Sequence, residues 1–128
     1  MLKKTMTYVD YEGVERTEDF YFNLTKAELM EMEFGVTGGM ERLLKKIIAE
    51  DDKKKIGEIF KEIILKAYGE KSADGRRFMK SKEISEAFMS TEAYSDLYMK
   101  LAFDADAASA FIEGILPADI ESALPKPQ

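Results

Sequence analysis

The residue types that most enzymes use as nucleophiles and general bases are missing from this chain. It contains no histidine and no cysteine, which excludes Ser-His-Asp and Cys-His nucleophile systems and the usual zinc sites. Acid–base catalysis would need carboxylates in an apolar pocket or beside a like charge, so that their pKa values separate. The acidic residues fall mostly on predicted exposed faces. We therefore predict no catalytic residue and no enzymatic activity.

One acidic motif begins like a calcium-binding EF-hand loop. Asp104-Ala105-Asp106 supplies the first two ligand positions, but Ala108 stands where the next oxygen ligand belongs and the sixth position is not glycine. The same acidic residues suit a helix N-terminus, whose dipole they complement. The sequence predicts no metal site.

Two glycine-containing segments resemble phosphate-binding loops without meeting their requirements. Gly35–Gly39 opens a predicted helix but lacks the Gly-Lys-Ser/Thr ending of a P-loop, and Asp74–Arg77 reads as an exposed turn. The lysine cluster from Lys45 to Lys55 is interrupted by acidic residues and lacks interleaved aromatics. We predict no cofactor and no nucleic-acid partner.

Charge is distributed unevenly along the chain. Residues 1–82 carry 17 basic and 16 acidic side chains, whereas residues 83–128 carry 2 basic and 9 acidic ones. The acidic last third disfavours nucleic acid and anionic membranes and either favours a basic partner or serves solubility. No export signal follows the N-terminal lysines, and no apolar run approaches the roughly 18 residues that span a bilayer. We predict no membrane association and a location in the cytoplasm.

The N-terminus predicts a β-hairpin over about residues 3–24. Asp10–Gly13 supplies the turn, and Phe20, Phe22 and Leu24 share one face of the returning strand. A two-stranded hairpin is marginal alone, so this face must pack on helices or on another chain.

Helical periodicity dominates the rest of the chain. Thr25 and Glu28 form a capping box. Gly69 is the predicted stop of a later helix that Asp51 or Asp52 caps. Further helical stripes begin at Met40, Ile84, Tyr94 and Ala107, and Phe78-Met79 forms a short strand. The predicted fold is α+β and mainly helical, with an N-terminal β-hairpin packed on about five to six helices. We expect a single domain over about residues 1–120 and a flexible tail over residues 121–128.

Surplus apolar side chains suggest a protein-binding surface. The helix after Thr25 is apolar on two sides, so it is either sandwiched in the core or offers one side to a partner. Two residues of a later helix also fall off its main apolar stripe, and the eight methionines suit either adaptable surfaces or core filling. The candidate partner contacts are Leu29, Met32, Val36, Met99 and Phe103.

Three segments carry a resemblance to a known family. Residues Tyr8–Leu29, Phe60–Ser72 and Thr91–Ser95 resemble small proteins of long-tailed phages and prophages, and the likeness extends from about Met1 to Ile120. These proteins are identified as tail assembly chaperones. The resemblance implies a non-catalytic protein that coats the helical tape-measure protein, keeps it soluble and helps to recruit tail-tube subunits.

Two other functions stay open from sequence alone. One is a structural tail or head–tail connector component of the virion, and the other is a small phage regulator that binds a host protein. Self-association is a further expectation, because the free edge of the hairpin offers backbone groups for strand addition.

Overall fold

The computed structural model describes residues 1–31 and 53–117. The described residues form four strands, β1 (Leu2–Val9), β2 (Glu15–Phe22), β3 (Tyr68–Lys71) and β4 (Phe78–Met79), and five helices, α1 (Lys26–Glu31), α2 (Lys53–Ala67), α3 (Lys82–Met89), α4 (Glu92–Phe103) and α5 (Ala105–Ile115). The predicted α+β, mainly helical fold class is confirmed. The predicted helix beginning at Met40 and the predicted tail lie outside the described residues.

The residues of the turn determine the conformation and register of the β1–β2 hairpin. The backbone N–H of Asp10 donates to the carbonyl oxygen of Val14 at 2.9 Å, and that of Gly13 donates to the carbonyl oxygen of Asp10 at 3.0 Å. Gly13 has a φ of 79°, a left-handed conformation that glycine adopts without steric cost. The turn fixes an antiparallel register that reaches Leu2 opposite Phe22.

The prediction that Gly69 ends α2 as a helix stop is wrong. The helix ends at Ala67, and Tyr68–Lys71 form β3, which pairs antiparallel with both β2 and β4. Gly69 does not have a positive φ. Glycine provides space instead, because a Cβ there would lie 2.7 Å from the ring of Phe78 and 2.9 Å from the carbonyl oxygen of Met79. The hairpin is therefore part of a four-stranded sheet in the order β1-β2-β3-β4.

Buried aromatic rings join this sheet to the helices. Phe22 of β2 has no exposed surface, and its ring centroid lies 5.6 Å from Tyr68, 5.7 Å from Phe88 and 5.2 Å from Phe111. Tyr68 of β3 also stacks on Phe88 of α3 with a centroid separation of 4.2 Å. Such pairs each contribute about 0.5–1.5 kcal/mol beyond their area burial. The aromatic face predicted for the hairpin, which includes Phe20 at 7% exposure, thus forms the centre of the core.

A lysine ammonium ties three chain segments together beside that core. Nζ of Lys80 donates to the carbonyl oxygens of Asn23 at 2.7 Å and Lys66 at 2.8 Å, and to Oε2 of Glu28 at 2.6 Å. An ammonium has three N–H donors, so all of them are used. Glu28 also forms the predicted capping box, accepting from the N–H of Thr25 at 2.9 Å. The contact joins the residues after β2, the start of α1 and the end of α2.

Replacing this ammonium tests how much the contact stabilises the fold. We expect Lys80→Met to lower the free energy of unfolding by about 2 kcal/mol, because it leaves a carboxylate and two carbonyl oxygens without their charged donor. Lys82→Met is the matched control, since the Lys82 side chain is 83% exposed and lies 3.9 Å from Glu86 in a surface ion pair. Urea denaturation of both variants measures the difference, and equal stabilities would contradict the assignment.

The same contact predicts a specific loss of stability in acid. Partial burial raises the pKa of the Glu28 carboxyl, but hydrogen bonds from Lys80 and from the N–H of Thr25 outweigh it and hold the pKa below its ordinary value of 4.5. Because the unfolded chain then binds the proton more tightly, the stabilisation is present above about pH 4.5 and is lost as pH falls through the folded pKa. We expect wild type to lose more unfolding free energy than Glu28→Gln between about pH 7 and about pH 3.

Asp10 and Asp74 contribute equally to the acid dependence of wild type and Glu28→Gln, so their contributions cancel in this comparison. Hydrogen bonds from the N–H of Val14 and the hydroxyl of Ser72 lower the pKa values of Asp10 and Asp74, respectively. Chemical denaturation at each pH provides the measurement. Parallel stability curves for wild type and Glu28→Gln would show that Glu28 does not carry the acid dependence.

Candidate protein-binding surface

Helix α4 is anchored along one side and at its N-terminus. Thr91 is the N-cap, and its Oγ1 accepts from the backbone N–H of Tyr94 at 3.2 Å. Ala93, Leu97 and Leu101 recur at a spacing of four residues, and each is at most 2% exposed. This spacing places them on one helical face, which packs into the core. The orientation of α4 about its own axis is therefore fixed.

Close approach to a second helix strengthens this anchoring. At Gly57 of α2, an added Cβ would lie only 2.0 Å from the hydroxyl oxygen of Tyr98 on α4. At the other end, Asp104 caps α5 by accepting from the backbone N–H groups of Asp106 at 3.0 Å and Ala107 at 3.1 Å. Phe103, the last residue of α4, consequently sits at a defined corner between two helices.

The opposite side of α4 carries large exposed apolar side chains. Met99 is 51% exposed and Phe103 is 61% exposed, and their i, i+4 spacing makes them neighbours on the helix surface. Glu92 lies seven residues before Met99 on the same face, and its carboxylate is close to Tyr11 at the tip of the hairpin, which is 74% exposed. Desolvation and that carboxylate raise the pKa of the Tyr11 hydroxyl. We call Tyr11, Met99 and Phe103 the α4 strip.

The α4 strip is short and is bordered by acidic side chains. Glu92 and Phe103 are eleven positions apart in the sequence, which corresponds to about 16 Å of helix. Between Glu92 and Asp106 the acidic side chains are Glu92, Asp96, Asp104 and Asp106, whereas Lys100 is the one basic side chain. An apolar strip with an acidic border fits an amphipathic segment that has apolar anchors and a basic flank.

The five contact residues predicted from sequence do not all have the same environment. Met99 and Phe103 are exposed, whereas Leu29 of α1 is half-buried and packs against the core cluster. Met32 and Val36 lie outside the described residues. Tyr11 was not predicted as a contact, although an aromatic residue within a polar turn is a signal that sequence inspection can detect.

A groove lies next to Lys80. It has a volume of about 250 Å³ and is lined by Glu28, Lys66, Lys80 and neighbouring residues at the start of α3. Burial lowers the pKa of the Lys80 ammonium, and the ion pair with Glu28 opposes this effect only in part. Because these two charged groups bind each other and the backbone, the groove is part of the structural contact described above.

The described ranges contain neither a cluster of metal ligands nor a membrane-spanning helix. Residues 1–31 and 53–117 contain no group of three or more acidic side chains placed to hold a metal ion. None of the described helices combines the length and apolar character needed to cross a membrane.

Comparison with known proteins gives one family assignment. Neither the curated proteins nor the solved structures gave a significant match. The family model described as phage tail assembly chaperone matches residues 1–126, which is nearly the whole chain and includes every segment that carried the resemblance seen in the sequence. The chain therefore belongs to the phage tail assembly chaperone family.

Proposed function

We propose that this chain is a non-catalytic chaperone that binds the tape-measure protein in the cytoplasm of the bacterial host. In this role it keeps the tape-measure protein soluble and helps to recruit tail-tube subunits. The observation that carries the proposal is the α4 strip, where two large apolar side chains project from a firmly anchored helix in a member of the tail assembly chaperone family.

A long amphipathic helix is a suitable partner for such a surface. Met99 and Phe103 are spaced by four residues, so the apolar side chains of a second helix can pack beside them at comparable intervals. Exposed apolar patches on soluble proteins often mark contacts with other proteins. The acidic border favours binding of client segments that have basic residues beside their apolar stripe.

Leu29, Met32 and Val36 form a second predicted contact. Leu29 retains partial exposure while packing against the core, so one side of it remains available to a neighbouring chain. The roles of Met32 and Val36 remain predictions from the sequence. Recruitment of tail-tube subunits rests on the role of the family, and no residue of this chain is assigned to it.

Co-expression with the tape-measure protein of the same phage tests the proposal. We expect the tape-measure protein to become soluble and to co-purify with this chain. If it remains insoluble and this chain is instead found in purified particles, the chain is a structural tail or head–tail connector component. Capture of a host protein without any tail protein would identify a regulator.

Substitution within the α4 strip tests the proposed contact. We expect the double variant Met99→Glu, Phe103→Glu to weaken tape-measure binding at least tenfold, which corresponds to about 1.4 kcal/mol, because charged groups would replace the apolar anchors. Its stability should change by only about 0.5 kcal/mol, since both side chains are more than half exposed. Titration calorimetry with a purified tape-measure segment gives the dissociation constants.

Ala87→Glu provides the control for added charge. Ala87 is an exposed residue of α3 outside the α4 strip, so this variant adds a carboxylate to a helix surface without altering the strip. It should bind like wild type. Unchanged binding by the double variant would exclude the α4 strip as the client surface.

A further inference from the structure

The four-stranded sheet has one long edge strand and one short one. β4 has two residues, whereas β1 has eight and extends for about 26 Å. The pairing of β1 with β2 is continuous from Leu2 opposite Phe22 to Val9 opposite Glu15, without a bulge or a proline. Soluble proteins commonly protect long edges with such devices or with lysines, and β1 carries two lysines, Lys3 and Lys4, at its N-terminal end. Among residues 1–31 and 53–117, no strand pairs with the outer edge of β1, so this edge is the long one that can accept another chain.

Residues that hydrogen bond to β2 alternate along β1 with residues that do not, and this alternation identifies the backbone groups at the outer edge. Asp10 and Val14 are hydrogen-bonded across the turn, so the residues of β1 that bond to β2 are the even-numbered ones. The N–H and carbonyl groups that point away from β2 belong to Lys3, Thr5, Thr7 and Val9. Within the described ranges, no residue hydrogen bonds to these backbone groups.

Charge at the two ends of β1 selects the direction of pairing. The N-terminal end carries Lys3 and Lys4, with Lys100 of α4 close to the latter. The turn end carries Asp10, Glu12 and Glu15 against one arginine. Antiparallel pairing of two identical strands brings each basic end beside the acidic end of the other strand. Parallel pairing would instead bring like charges together.

We propose that β1 pairs antiparallel with β1 of a second copy of this chain, forming a two-fold dimer with a continuous eight-stranded sheet. In the register that we assign, Met6 lies on the two-fold axis, Thr5 is opposite Thr7 of the second copy, and Lys3 is opposite Val9. All four outward-pointing residues are then hydrogen-bonded, and no two lysines face each other. The short β4 edges lie at the far ends, so assembly through β1 stops at two copies.

This register also suits the inner face of the sheet. Met6 is partly buried against the core and would face its own counterpart across the axis. Lys4 would lie opposite Tyr8 and diagonal to Asp10 of the second copy, within reach of a long side chain. Burial and the nearby Lys100 lower the pKa of Lys4 in the single chain. The Asp10 carboxylate of the second copy would favour the charged form of the Lys4 ammonium and so offset the effects of burial and of Lys100.

A proline substitution tests pairing at the β1 edge without removing hydrogen bonds within the hairpin. The N–H of Thr7 points away from β2, so Thr7→Pro removes a donor from the dimer contact while leaving the β1–β2 hydrogen bonds in place. Thr7→Ala is the control, because both variants lose the 2.9 Å contact between the hydroxyl oxygens of Thr7 and Thr17. We expect wild type and Thr7→Ala to have about twice the chain mass of 14.6 kDa by light scattering. Thr7→Pro should raise the dimer dissociation constant at least tenfold.

A cysteine cross-link tests the register without disturbing the edge. The chain contains no cysteine, so each introduced thiol is unique. Residues directly opposite in a non-hydrogen-bonded antiparallel pair have Cα atoms about 4.5 Å apart, which a disulfide can span. We expect Met6→Cys to form an intermolecular disulfide under mild oxidation. Val9→Cys should not, because Val9 would lie opposite Lys3 of the second copy.

Three results would overturn this proposal. A wild-type chain that remains monomeric at about millimolar concentration would exclude the dimer, and a dimer that is unaffected by Thr7→Pro would place the interface elsewhere. A monomer that instead forms a Thr7→Pro-sensitive complex with a tail-tube subunit would assign the edge to that partner. Because oligomeric mass is measured without the tape-measure protein, failure here is distinguishable from failure of the proposed chaperone function.

Discussion

Burial of the Phe22 ring is the constraint on which the remaining structure depends. This side chain is completely enclosed and contacts aromatic rings from β3, α3 and α5. A hairpin alone is marginally stable in water, so its aromatic face requires those helices. In turn, the helices acquire a common surface to pack against. The ammonium of Lys80 then fixes the polar ends of β2, α1 and α2 around the same cluster.

This arrangement determines which surfaces remain outside. Because Leu97 and Leu101 hold one face of α4 in the core, Met99 and Phe103 must project from the opposite face. In the sheet, β3 covers one edge of the hairpin and leaves β1 at the other. The α4 strip and the β1 edge are therefore formed by different groups, apolar side chains in one case and backbone N–H and carbonyl groups in the other, although α4 packs against β1. The proposed client contact at the α4 strip and the proposed pairing of two copies through β1 can thus be tested with different substitutions.

Features encoded by short-range chemistry were predicted from the sequence, whereas long-range contacts were not. The capping box of Thr25 and Glu28 lies within four residues, and it forms as predicted. β3 was missed because Tyr68 and Gly69 look like the end of a helix, and its pairing with β2 depends on residues far away in the chain. Lys80 reaches Asn23 across 57 positions, which no local pattern reveals. Off-stripe spacing did identify Met99 as an exposed residue of α4.

The most direct test of client binding at α4 is methyl NMR of the methionines. The chain has eight of them, including exposed Met99 and Met6, which packs against the core. On titration with a tape-measure segment, our account predicts that the Met99 methyl signal shifts or broadens in proportion to complex formation, while that of Met6 stays in place. A saturated complex in which the Met99 signal is unchanged would contradict it.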